Sequence, residues 1–264
     1  YSIDAVIHTA AFKSLEESRL KPLEYYNDNI SCIMSLLRSM QRTGVRNLVH
    51  LSSLAVYGQS SLELNETTPF NFNNSNPYIK SQQMIEEILR DTVKTDTEWN
   101  VAILRIGNVV GAFEQAVLGE FVQPLPKNIV PLALQVATMQ RDYIELQQSA
   151  QTEDQTVERS FVHVLDVCDA IFASLYWFNH QQNVCESFDI GGYSLSIQQI
   201  LTEIEKVTGQ QIKTIEATYS FDELDQIGSN SSKAQQLLGW KAKRSVEKMI
   251  QDQWIFYQST LKQS

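Results

Sequence analysis

Apolar and polar positions follow two alternating periods through the first half of the chain. Ile3 to Ala11 is a short apolar run, read as a buried strand. Pro22 then opens a helix that carries Tyr26, Ile30, Ile33, Leu37 and Met40 at spacings of four, three, four and three, and Gly44 stops it. Asn47 to Ser53 is a second strand, followed by a polar loop from Gln59 to Asn76. Pro77 starts another helix with Met84, Ile85, Ile88 and Leu89 facing inward, and Val101 to Ile106 is a third strand. Strand and helix periods that alternate in this way predict βα units around a parallel sheet.

From Gly111 the rhythm changes. An irregular stretch with Pro124, Pro126 and Pro131 leads to a Gln-rich region near 147–155, as expected where a second, smaller lobe begins. Arg159 to Val164 alternates like a strand, Leu165 to Trp177 is helical, and Ser187 to Gly192 is a short strand. Helices at about 196–208, 231–238 and 245–259 follow, with Gly209 and Gly239 as stops. The pattern gives an α/β chain: residues 1–112 in a Rossmann-type domain, and 113–264 mainly in a C-terminal α/β lobe. Segments near 159–192 return to the first sheet.

Composition narrows the partners. With 264 residues and 43% hydrophobic content, the chain can fill one large core or two smaller ones. A net charge of -10 would repel a phosphate backbone, so nucleic acid is not an expected partner. No apolar run approaches the roughly 20 residues of a membrane helix. Cys32, Cys168 and Cys185 are too few and scattered for a disulfide framework or a metal site. They read as buried thiols of a cytoplasmic protein.

Ser53 closes a predicted parallel strand and Tyr78 lies in the first turn of the next helix. Both therefore face the crevice at the strands' carboxyl ends, where open α/β sheets bind ligands. A strand-end Ser some 25 residues ahead of a Pro-Tyr helix start resembles the Ser/Tyr pair of short-chain dehydrogenases. The likeness extends along the chain. His8-Thr9-Ala10-Ala11-Phe12-Lys13, Lys21 to Tyr26, Leu104-Arg105 with Asn108, Asn128 before Pro131, Arg159 with His163 and Asp166, and Ser232-Lys233-Ala234 before Trp240 together resemble the UDP-glucose 4-epimerases. That family belongs to the extended short-chain dehydrogenases.

The resemblance implies a bound NAD, a UDP-sugar substrate, and inversion at the sugar C4 through a 4-keto intermediate. It implies Tyr78 as the base and Ser53, which also touches the sugar, as its proton relay. Ala10, Lys13, Tyr78, Gln82 and Ile106 would contact the cofactor, and Asn108, Asn128 and Arg159 the nucleotide sugar. A homodimer through the helices near 22–43 and 77–92 is implied too. His163 reads as structural, and no metal is expected.

Two departures stand out. The family places a lysine one helical turn after the tyrosine, where its charge lowers the phenol pKa; here that residue is Gln82, and Lys80 should point away. The family's Gly-rich phosphate turn would precede Tyr1, and no G-x-x-G-x-x-G occurs in the chain. A preceding segment and impaired activity are therefore expected. A further arginine of the family is absent near Tyr219 to Asp222. The alternatives are an inactive homologue, or another extended short-chain dehydratase or reductase acting on nucleotide sugars.

Overall fold

The computed structural model describes residues 2–58, 64–72, 76–113, 118–120, 126–149, 152–217, 226–227 and 230–261, the side chains of 226–227 excepted. The chain divides into two units. Residues 1–106, 169–190 and 230–241 form the first, and 107–168, 191–229 and 242–264 the second. Of the stretch near 159–192, residues 169–190 group with the first unit.

In the first unit the alternating periods become a parallel sheet in the order β1-β2-β3-β9, made of β1 (Ala5–His8), β2 (Asn47–Ser53), β3 (Asn100–Ile106) and β9 (Val184–Ile190). Its helices are α1 (Leu15–Leu20), α2 (Pro22–Thr43), α3 (Pro77–Thr95), the later part of α5 (Val164–Trp177) and α7 (Ser232–Leu238). Ile33, Leu37 and Met40 of α2 and Ile85, Leu89 and Val93 of α3 close a core with Leu48, Val101 and Ile103. Pro22 sits in the first turn of α2 and Gly44 ends it in the left-handed region at φ 76°, where a side chain would be strained.

Some expectations need correction here. The Ile3–Ala11 run forms a strand only at Ala5–His8, and Ile7 is 44% exposed. Among the described residues β1 pairs on one edge alone, with β2. The buried stripe of α2 runs through Tyr25 and Asn29 rather than Tyr26 and Ile30, which are half-buried. Met84 is exposed, because the inward face of α3 is taken by Gln82, Gln83 and Glu86. Helix α1 had no periodic signal in so short a segment. The cysteines are not buried either: Cys32 is exposed and Cys168 and Cys185 are half-buried. Much of the polar loop Gln59–Asn76, and the Tyr219–Asp222 segment, lie outside the described residues.

The second unit is built on β8 (Glu158–His163). It pairs antiparallel with β10 (Tyr193–Ser196) and parallel with β4 (Asn108–Val110) and β12 (Gln226–Ile227). Two smaller pairings join β7 (Ile144–Leu146) to β11 (Thr214–Glu216), and β5 (Ala112–Phe113) to β6 (Leu118–Gly119). Helices α4 (Ile129–Ala137), α6 (Ile197–Thr208) and α8 (Val246–Leu261) share a core through Leu134, Ile200, Ile204, Met249 and Ile250, with Phe161 of β8. Gly209 and Gly239 end α6 and α7 as expected. No helix among the described residues is long and apolar enough to cross a membrane.

Candidate active site

Local backbone chemistry places Ser53 and Tyr78. Ser53 ends β2 in an extended conformation, and its Oγ accepts the Ala55 N–H at 3.2 Å, capping the short 3-10 turn Leu54–Tyr57. Asn76 caps α3, its Oδ1 accepting the Ile79 N–H at 3.0 Å, and Pro77 begins the helix. The two caps fix where β2 stops and α3 starts. Gln83 locks α3 to the turn by donating to the Val56 carbonyl at 2.6 Å.

Tyr78 is half-buried, and the Ser53 side chain is near enough to hydrogen-bond its phenol. With Oγ already accepting from Ala55, the Ser53 hydroxyl is free to donate to Tyr78. Burial pushes the Tyr78 pKa up, the Ser53 bond pulls it down, and nearby Tyr25 adds to the rise. Among the described residues no cation acts on this phenol.

Gln82, one turn further along α3, is 1% exposed, and its Oε1 has no hydrogen-bond partner. It faces the interior of the first unit. Close by, His50 of β2 has its Nε2 equally unpartnered, while its Nδ1 lies 3.0 Å from His8 Nδ1. Lys13 and Ala10 follow β1 as exposed residues. Their segment is held by Asn29 of α2, which accepts the Phe12 N–H at 2.8 Å, donates to the Phe12 carbonyl at 3.1 Å, and donates to Ser81 at 3.0 Å. Ile106 is buried at the end of β3.

Behind the Ser/Tyr pair lies a buried charged network that the sequence reading did not identify. Glu86 accepts from Ser52 at 2.7 Å, from Arg105 Nη2 at 2.7 Å and from Arg90 at 2.9 Å. Arg105 also donates to the Tyr57 hydroxyl at 2.8 Å, and Tyr57 donates to Asp189 at 2.6 Å. Although burial opposes ionisation, Arg105 and Ser52 hold Glu86 below the ordinary carboxylate range. Asp189 is pushed up to about 7, chiefly by burial, with the Tyr57 bond opposing and Glu66 reinforcing the rise. The available signal was a lone arginine in the apolar strand Val101–Ile106, which buries only when paired.

The residues assigned to the nucleotide sugar belong to the second unit. Asn108 of β4 is exposed and donates to the Ser160 carbonyl at 3.4 Å. Asn128 stands at the N-cap of α4 and donates to Glu120 at 2.7 Å. Arg159 of β8 is half-buried, with Nη1 donating to the Glu158 carbonyl at 2.8 Å. Gly107 is required by close approach, since a Cβ there would sit 2.7 Å from the Ser160 carbonyl oxygen. His163 is fully buried between Asp252, at 3.1 Å, and the Leu165 N–H. Asp166 is tied to Arg244.

Residues 1–191 match the family model described as NAD dependent epimerase/dehydratase family. The chain is similar to UDP-glucose 4-epimerase 2 of Arabidopsis thaliana, with 35% identity over 95% of this chain and 72% of that protein. Two solved structures superpose closely. One is UDP-glucose-4-epimerase from Stenotrophomonas maltophila with bound NAD and formylated UDP-arabinopyranose, at a TM-score of 0.94 and 30% identity over 99% of this chain and 78% of that one. The other is UDP-glucose 4-epimerase from Bifidobacterium longum in complex with NAD+ and UDP, at 0.93 and 29% over the same shares.

Proposed function

Because the chain belongs to the NAD dependent epimerase/dehydratase family, we propose that it interconverts UDP-glucose and UDP-galactose by inversion at C4 of the hexose. The observation that carries this reading is the Ser53 side chain set against the Tyr78 phenol at the carboxyl end of the parallel sheet. Tyr78 takes the proton of the sugar 4-hydroxyl, and Ser53 shares it through the bond between them. When the keto sugar is reduced again, Tyr78 returns that proton. Bound NAD supplies the hydride acceptor and donor at C4.

The residues present fit the nicotinamide half of a dinucleotide. Lys13 is exposed after β1, Tyr78 offers its phenol, and Gln82 an amide; these would hold the nicotinamide riboside. Asn108, Asn128 and Arg159 supply hydrogen bonds and charge for the nucleotide sugar, a guanidinium suiting a phosphate.

Gln82 weakens the base. A neutral amide brings no positive charge to lower the phenol pKa, and each unit of pKa is about 1.4 kcal/mol, or tenfold in phenolate at a given pH. The same observation favours a second reading, a homologue that binds nucleotide sugar without turning it over. An assay of UDP-galactose conversion separates the two. On the first reading the chain turns over and Tyr78→Phe lowers the rate by about 100-fold or more. A measurable rate that Tyr78→Phe leaves unchanged would rule out the assigned chemistry. Calorimetric binding of UDP-galactose without turnover would establish the second reading.

A further inference from the structure

Four polar side chains run in line through the first unit. Cys32 Sγ of α2 lies 3.6 Å from His8 Nε2, and His8 Nδ1 lies 3.0 Å from His50 Nδ1. The two ring planes are 18° apart, with centroids at 5.2 Å. On the far side His50 Nε2 and Gln82 Oε1 are both buried and neither has a hydrogen-bond partner. They are nevertheless close enough for the amide to act on the ring as a hydrogen-bond acceptor.

Donor chemistry gives this run a direction. Two Nδ1 atoms can share a hydrogen bond only if one ring carries its proton there and the other does not. A thiol is a poor acceptor, whereas an imidazole lone pair is a good one, so Cys32 donates to His8 Nε2. His8 must then hold its proton on Nδ1 and give it to His50 Nδ1. That leaves the His50 proton on Nε2, and of the buried acceptors that act on this ring, Glu86 and Gln82, it is Gln82 Oε1 that has no other donor.

We propose that Cys32, His8, His50 and Gln82 form a single one-way chain of hydrogen bonds, in which His50 is a positioning residue that engages Gln82 Oε1. The Gln82 Nε2 is thereby left as a neutral donor for a bound ligand. An amide has its acceptor and its donor on opposite sides of one carbon, so fixing the oxygen fixes where the nitrogen points. Burial lowers the pKa of both histidines, that of His50 to about 4 with His8 reinforcing it, so both rings are neutral above pH 7. The bearing on cofactor holding rests on the epimerase reading. The tautomers do not.

The test is long-range proton–nitrogen NMR of the whole chain labelled with nitrogen-15 in its four histidines, with His163→Gln and His180→Gln used for assignment. The expected spectrum shows His50 protonated on Nε2 and His8 on Nδ1, unchanged between about pH 7 and 8. A His50 protonated on Nδ1, or averaging between tautomers, would overturn the proposal. Gln82→Leu should speed water exchange of the His50 Nε2 proton by about tenfold or more. Gln82→Glu should raise the His50 proton affinity by about tenfold or more. Histidine signals insensitive to both substitutions would show that Gln82 is not the acceptor. None of these readings needs NAD or sugar, so an inactive chain leaves the test intact.

Discussion

The Glu86 carboxylate stands between two arginines with no access to water, its side chain fully buried and that of Arg105 2% exposed. Removing one charge of such a pair strands the other in a medium that cannot solvate it. Glu86→Gln should therefore lower unfolding free energy by about 3–5 kcal/mol, measured by urea denaturation. Asp189 behaves differently. Its folded pKa of about 7 lies above its unfolded value, so its contribution is complete below about pH 4 and is lost as pH rises through 7. An asparagine side chain at this position would mimic the protonated acid, so Asp189→Asn should gain on the wild type by about 1–3 kcal/mol between pH 5 and pH 8. Denaturation midpoints at the two pH values check this, and the histidines, whose contribution is common to both proteins, cancel.

The Ser53/Tyr78 neighbourhood was legible in the sequence because both positions follow from where a strand ends and a helix begins. The depth of Gln82 was not. Its spacing from Tyr78 gives a shared helix face, but only the packing of α3 against β2 and β3 decides how far that face is buried. Arg105 was visible as one charge in an apolar strand. Its partners Glu86, Tyr57 and Asp189 come from three other segments that no local pattern joins.

Among the elements, α3 shows how an end can matter more than a middle. Asn76 satisfies an orphan N–H at the first turn, and Tyr78 lies within that turn. Asn76→Ala should cost about 1 kcal/mol of stability, and it should lower turnover more than a substitution at the exposed Met84 does. Thermal melts alongside the epimerase assay measure both. Helix limits were readable because Pro22, Pro77 and the glycines at 44, 209 and 239 mark them chemically. Strand β1 was overread, because a run of apolar residues reports composition and says nothing about which edges are covered.

At the scale of the molecule, each unit has its own core, and each is assembled from three separate stretches of sequence. In the first, β3 is paired along both edges while β1 is paired on one among the described residues. Hydrogen exchange followed by mass spectrometry should find the amides of Val101–Leu104 at least about tenfold slower than those of Ala5–His8. Similar rates would show that the sheet opens as one body. The break in rhythm near Gly111 was readable in the sequence, but the place of segment 230–241 in the first unit was not, because α7 carries nothing in its sequence that says which sheet it joins.

The pairing of β3 with β9 also sets an order of events during synthesis. Asn100 meets Val184 and Ile106 meets Ile190, so one flank of the central strand has no neighbour while the intervening residues are still being made. A nascent chain stalled on the ribosome before residue 184 would leave the backbone N–H and C=O groups along one edge of β3 without a strand partner, an edge suited to a chaperone. The same chain released after residue 190 would have covered it.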